Sequence, residues 1–526
     1  MKFNTIVIII ILLSIISCAR KGNPTGGPKD ESEPILIKTI PEYKSINFKE
    51  NEIKIYFDEY IKLKDLRKYL VVSPPLKYPA IIQPLGAPSK KITITIQDTL
   101  IKNTTYTFNF GESIVDNSEG NVLSNFKYIF STGTYIDSLS VNGKITSALS
   151  KKVDEYVSVL LYEANEKFKD STIYKQKPLY AGNTLDSIAW DITNIKSGRY
   201  HIIALKDANN NFMYDPKVDK IGFLDSVVTI PTTKSLILKL FKEKTAFKIN
   251  KPSEVSKGHL IFGYEGDATN FEVKPILKDL EYKTVFDKVK DTLHFYYKSK
   301  NPLDSLKFNL TNEHFSESKT VKLRSKKIDS LKTSSNIRGI LHYRDTILIT
   351  SNNPISKIDK TKIFFTDKDT INITFKVKKV TEGLKITFER SENQNYKLEM
   401  LPSAITDFFE QKNDTLQYNF SITKKDKYGS LSMNVVGTEN KPVIVQLLGK
   451  KEKVIAEKFI NKDKKIIFDL LQPTKYSIRV IIDDNDNKKW DTGNYLKAKQ
   501  PEKVIYFASE INIKENWFVE ETIDLK

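Results

Sequence analysis

The chain has 526 residues, too many for one hydrophobic core, so three to five domains are expected. Apolar residues make up 40% and charged residues 28%, ordinary globular proportions that exclude a disordered chain. The formal net charge is +18, yet no Lys/Arg run is dense enough for a nucleic-acid groove, and a single cysteine excludes any internal disulfide.

Lys2 gives a minimal positive start, and Ile6 to Leu13 is unbroken apolar sequence extended by Ile15 and Ile16. The run is shorter than the roughly 20 residues a membrane span needs and has the length of a signal-peptide core. Ile15-Ile16-Ser17-Cys18 closes it, and Cys18 is the lone cysteine. This stretch resembles the bacterial lipoprotein box. The resemblance implies a signal peptide over 1–17, lipid attached to Cys18, and a membrane tether. Residues 18–33 follow as a Gly/Pro-rich linker. No Asp stands directly after Cys18, which favours outer-membrane over inner-membrane attachment, while Asp30, Glu31 and Glu33 leave the leaflet open. Export leaves nucleic acid out of the expected partners.

Frequent Ile, Thr, Val, Tyr and Phe fit a pleated, half-buried surface, so the expected class is all-β. Over 34–133, Ile53 to Phe57, Ile92 to Ile96 and Tyr106 to Phe110 alternate with period two between turn residues, the pattern of a sandwich. Phe57-Asp58-Glu59, Leu100 to Tyr106, Asp116 with Gly120-Asn121, and Tyr128 to Thr132 resemble a bacterial Ig-like domain of envelope proteins. Asp116 and Glu119 are read as ordering their loop through bonds to its backbone.

Over 137–243 the strands continue, and Tyr200 to Leu205 runs into an Asp/Asn-rich loop. That loop has a twin in 427–526. Both fit Tyr-x6-Asp-x-Asn-x-Asn-x-x-aromatic-Asp, and Val157 to Tyr162 matches Val443 to Leu448 in the approach. The two segments are therefore an internal repeat. Both resemble small β-sandwiches of the transthyretin-like or carboxypeptidase-regulatory type. Alternating Asp and Asn place oxygens on one side of a tight loop, as a hard cation requires. The functional reading is Ca²⁺ held by Asp207, Asn209, Asn211 and Asp215, and again by Asp483, Asn485, Asn487 and Asp491. The alternative is an Asx turn bonded to its own backbone without an ion.

Residues 246–330 alternate without a recognisable motif and read as a β-sandwich of unknown type. The first pattern returns over 335–424, where a Tyr strand, the loop Ile405-Thr406-Asp407 and an aromatic strand repeat the order of the first domain. The expected architecture is a tandem array of Ig-like and transthyretin-like β-sandwiches behind a leader and linker. Asp98-Thr99-Leu100, Asp345-Thr346-Ile347 and similar triplets resemble an O-glycosylation acceptor, or are turns feeding a strand. No metal-spaced His pair, Gly-x-Ser-x-Gly elbow or phosphate-binding Gly loop occurs. The expected protein is non-catalytic, an outer-membrane lipoprotein acting as scaffold or binding subunit of an envelope protein complex. The alternative is a calcium-dependent adhesin that binds glycan.

Overall fold

The computed structural model describes residues 30–287, 289–313 and 315–526. The expected signal peptide over 1–17 and the expected lipid site Cys18 lie outside the described residues. Within them the chain is all-β, folded into successive two-sheet sandwiches.

The first sandwich pairs β1 (Leu36–Ile40), β2 (Glu52–Leu63), β5 (Ser89–Thr95) and β4 (Ile81–Gln83) in that spatial order. The facing sheet is β3 (Val71–Ser73), β6 (Thr105–Asn109) and β8 (Lys127–Ser131), while β7 (Ile114–Asp116) pairs with the end of β2. Ile53, Ile55 and Phe57 point inward from β2 and meet Phe108, Tyr128 and Phe130, which is why alternation was visible. This strand order is that of an Ig constant-type sandwich. Asp116 orders the loop after β7 by accepting N–H from Ser118 (2.7 Å), Glu119 (2.7 Å), Gly120 (3.1 Å) and Asn121 (2.6 Å). Burial pushes its carboxyl up, and those four donors outweigh the push and hold it below the usual range.

The second sandwich sets β11 (Tyr180–Asn183), β10 (Ser158–Glu163), β13 (Gly198–Lys206) and β14 (Lys220–Phe223) against β12 (Ala189–Ile195), β9 (Leu139–Ser147) and β16 (Leu236–Leu240). β15 (Val228–Ile230) completes the first of these sheets, and β16 runs parallel to β9.

The third has β17 (Lys248–Ile249), β19 (His259–Glu265), β22 (Thr292–Lys298) and β21 (Glu281–Asp287) in one sheet, with β18 (Ser253–Ser256) beside β19. Facing it are β20 (Glu272–Pro275), β23 (Ser305–Asn312) and β24 (Phe315–Lys322). The segment without a sequence motif thus has the strand order of the first domain.

The fourth repeats that order with β25 (Thr333–Ser335), β26 (Ile347–Ser351), β30 (Gly383–Phe388) and β29 (Phe375–Val380). Its second sheet is β28 (Ile363–Asp367), β31 (Gln394–Met400) and β33 (Leu416–Ile422), and β27 (Ile355–Ile358) pairs with β32 (Ile405–Asp407). Asp407 ends β32 as Asp116 ends β7, accepting N–H from Phe409 at 2.8 Å and Gln411 at 2.9 Å.

The fifth matches the second strand for strand. β36 (Val454–Ile460), β35 (Val443–Leu448), β38 (Lys475–Ile482) and β39 (Val504–Tyr506) form one sheet, with β40 (Ile511–Asn512) on β38. β37 (Lys464–Leu471), β34 (Gly429–Val436) and β41 (Phe518–Asp524) form the other, and β41 runs parallel to β34 as β16 does to β9.

Hydrogen bonds cross three junctions between adjacent domains. Ala181 N donates to Ser73 Oγ (3.1 Å) between the first and second, and Tyr296 Oη to the Asn352 carbonyl (2.8 Å) between the third and fourth. His342 joins the fourth to the fifth: its Nε2 donates to the Leu470 carbonyl at 2.8 Å, which leaves Nδ1 to accept N–H from Arg344 at 3.0 Å.

Candidate functional site

β13 delivers Asp207 into the first Asp/Asn loop, where the residue is buried. Its Oδ1 accepts from Asn209 N (3.1 Å) and its Oδ2 from Phe212 N (2.7 Å). Asn211 Oδ1 accepts from Met213 N at 2.8 Å, and Asp215 Oδ1 from Lys217 N at 3.0 Å. Asn210 and Phe212 take left-handed backbone, φ 52° and 58°, which curls the N–H groups around the carboxylate. Burial raises the Asp207 carboxyl despite these donors.

β38 delivers Asp483 in the same way. Its Oδ1 accepts from Asn487 N (3.1 Å) and its Oδ2 from Lys488 N (2.8 Å). Asp486 and Lys488, at φ 54° and 62°, hold the two left-handed positions. Here Asn485 Nδ2 (2.6 Å) and Asn487 Nδ2 (2.9 Å) also converge on Asp491 Oδ2 at the exposed tip. Asn209, Asn211 and Asp215 show no such convergence among their hydrogen bonds. Among the described residues, no three His, Cys, Asp or Glu side chains gather as a metal set.

Each loop depends on a residue outside the sequence motif. Asp219 Oδ1 accepts from Ala208 N at 2.9 Å and its Oδ2 from Asp215 N at 2.8 Å. Glu502 spans the corresponding two groups, Asp484 N at 3.0 Å and Asp491 N at 2.8 Å. Burial raises the Glu502 carboxyl.

The two loops lie where the second and fifth domains clasp each other. Glu243 is buried between them, accepting from Tyr214 Oη (2.7 Å) on one side and from Tyr495 N on the other. Thr492 Oγ1 donates to the Lys242 carbonyl at 2.7 Å, and Gln500 Nε2 to the Phe223 carbonyl at 3.0 Å. Tyr495 enters the apolar cluster on the outer face of β10 and β13, its ring edge-on to Phe223 at 5.3 Å. Burial pushes the Tyr214 and Tyr495 hydroxyls far above their ordinary range. A second contact centres on Arg479, which donates to Gln446 Oε1 (2.6 and 2.9 Å) and to the Leu149 carbonyl (3.0 Å). Tyr506 Oη adds a bond to the same carbonyl at 2.7 Å. Ile444, Leu448 and Ile481 point away from the core of the fifth domain and are still only 1% exposed. The signal for this was present in the sequence: apart from Gln446 and Ser158, Val443 to Leu448 and Val157 to Leu161 are apolar at consecutive positions, the pattern of strands covered on both sides.

The architecture is that of a tandem β-sandwich protein with Ig-like domains. Residues 30–132 match the family model described as Bacterial Ig-like domain. No curated protein matches the chain. Among solved structures it is similar to BcpA, the major pilin subunit of Bacillus cereus, at 10% identity and TM-score 0.14, covering 74% of this chain and 99% of that one. It is similar to the S-layer protein rSbsC at 9% identity and TM-score 0.15, covering 91% and 67%. The BSP domain of a biofilm associated protein gives 6% identity and TM-score 0.15, covering 88% and 97%. Superpositions this loose carry no argument about function.

Proposed function

We propose that this chain is a lipid-tethered, non-catalytic scaffold of an envelope protein complex at the outer membrane. The carrying observation is the clasp between the second and fifth domains. With the bonded junctions from third to fourth and from fourth to fifth, and the short link of residues 241–247 from the second sandwich to the third, it closes the chain on itself, so those four sandwiches form one platform rather than beads on a string. Such a platform holds loops and sheet edges at fixed separations, which suits the joining of several partners. The lipoprotein-box resemblance at Cys18 supplies the tether. The test is mild cross-linking and affinity purification from native membranes. Protein partners recovered in fixed stoichiometry support the reading, and a monodisperse protein with no partner overturns it. Cys18→Ser tests the tether separately, by releasing a folded protein from the membrane.

A second reading is calcium-dependent surface adhesion to glycan. The observation that favours it is the meeting of Asn485, Asn487 and Asp491 at one exposed point, where turning two amides would present three oxygens to a cation.

A further inference from the structure

Three domains share one strand order, and they differ in how the chain crosses from the third strand of that order to the fourth. In each, the third and fourth strands are edge strands on opposite sheets, leaving a slot along one side of the sandwich. Ig variable-type domains fill that slot with an additional strand. In the first domain the chain after β3 lays buried Leu76 over the core, and β3 is covered by the second domain through Ala181. In the fourth domain the chain after β28 turns back along it, bridging Thr366 to Asn372. Ile373 N donates to the Phe365 carbonyl at 2.8 Å, Asp367 N to the Ile371 carbonyl at 3.1 Å, and Ile373 packs onto the core.

The third domain has no such filling. Residues 276–280 cross directly from β20 to β21. Between those edges lies a groove of about 510 Å³ floored by Phe271, Val273, Tyr282, Phe286 and Leu293. Tyr282, Thr284 and Phe286 sit opposite Tyr297, Phe295 and Leu293, so they face the core side of the sheet. Yet Tyr282 is 39% exposed and Thr284 is exposed as well. The inner face of β21 therefore lacks its cover. Among the described residues β20 pairs with β23 alone, so its other edge offers backbone N–H and C=O groups as far as Pro275, which has no N–H.

We propose that this groove accepts an extended peptide segment of a partner protein as an added strand on β20. Alternate apolar side chains of that segment would rest on Tyr282, Thr284 and Phe286. The occupant follows from the fourth domain, where the same slot is filled by an extended segment bonded to the edge of β28, with Ile373 packed onto the core between Asn372 and Phe375 of β29. Main-chain bonds along a sheet edge with pockets for every second side chain are a general mode of peptide capture. The proposal rests on the scaffold reading for the partner being a protein, and it goes further in stating how that partner is held.

The test needs no knowledge of the partner. A synthetic peptide copying residues 369–375 is titrated into the full chain, and amide hydrogen exchange is followed. Saturable slowing confined to residues 270–274 and 281–287 is the expected result. A peptide of the same composition with its apolar residues placed consecutively is expected to leave exchange unchanged. Thr284→Lys puts a charge on the groove floor at an exposed position, so the fold is kept and the peptide should bind about tenfold more weakly or worse. No slowing, equal slowing with the rearranged peptide, or full binding to Thr284→Lys overturns the proposal. Slowing produced by raising the protein concentration alone would assign the groove to a second copy and overturn it too. Each of these failures leaves the scaffold reading standing or falling on its own purification experiment.

Discussion

Asp219 and Glu502 stand at equivalent points of two domains and span the same pair of backbone N–H groups, one after the leading Asp of the loop and one at its closing Asp. Asp219 lies four residues past Asp215, whereas Glu502 lies eleven past Asp491. The longer reach of a glutamate and a longer intervening segment give the same closure.

Both carboxylates are buried and fully used, so a single amide substitution is expected to hurt. Asp219→Asn and Glu502→Gln each turn an N–H donor toward another N–H, which should cost about 1–3 kcal/mol. Asp215→Asn keeps an amide oxygen for the exposed Lys217 N–H and should stay within about 0.5 kcal/mol of the parent. Denaturant midpoints of the three variants check this ranking.

The clasp between the second and fifth domains should open before either domain unfolds. Arg479→Ala removes three charge-assisted bonds across and beneath the contact and should weaken docking by about 2–3 kcal/mol. Tyr495→Ala empties an aromatic seat and should cost about 3 kcal/mol. Small-angle scattering of the double variant is expected to show an expanded particle, with circular dichroism unchanged.

Stability of the third domain should fall with acid. His259 Nε2 and His294 Nδ1 lie 2.8 Å apart, and His259 stacks on Tyr296 at 4.3 Å. Burial, then the neighbouring His294, lower the His259 pKa to about 4, and burial lowers His294 as well. Asp287 and Asp329 oppose the shift, while Lys290 adds to it. Between a free value of about 6.5 and the folded value, the unfolded chain binds a proton that the folded domain refuses. Stability is therefore complete above pH 6.5 and declines toward pH 4, by at most about 3 kcal/mol from His259. His259→Phe keeps the stacking and should flatten most of that slope in pH-dependent unfolding.

Calcium separates the two Asp/Asn loops. In the first, the Asp207 oxygens are taken by backbone N–H groups and Asn209, Asn211 and Asp215 do not converge as Asn485, Asn487 and Asp491 do, so added Ca²⁺ should leave exchange over 207–215 unchanged. Under the calcium reading, residues 483–491 slow with Ca²⁺ and lose the response in Asp491→Ala. A flat titration at the second loop retires that reading.

The repeat was legible because the side chains that accept the turn's own N–H groups, Asp207 with Asn211 and Asp483 with Asn487, recur at the same offsets in both copies. The Ig order of the first and fourth domains was legible because Asp116 and Asp407 end matching strands. The third domain was not, although its strand order is the same, since it lacks a buried Asp loop and is held by an apolar core around Phe262, Phe295 and Phe308 that leaves no residue signature. Asp219 and Glu502 escaped detection because their spacing and chemistry both differ between copies. The clasp escaped because it joins residues more than 250 positions apart, such as Glu243 and Tyr495.

In the second and fifth domains, the first and last strands lie side by side and parallel, β9 with β16 and β34 with β41. A pull on the two ends of such a domain drags these strands in opposite directions along their length. Every ladder bond between them is then loaded together rather than unzipped one at a time. Under a stretching force along the chain, these two sandwiches would be the last of the five to give way.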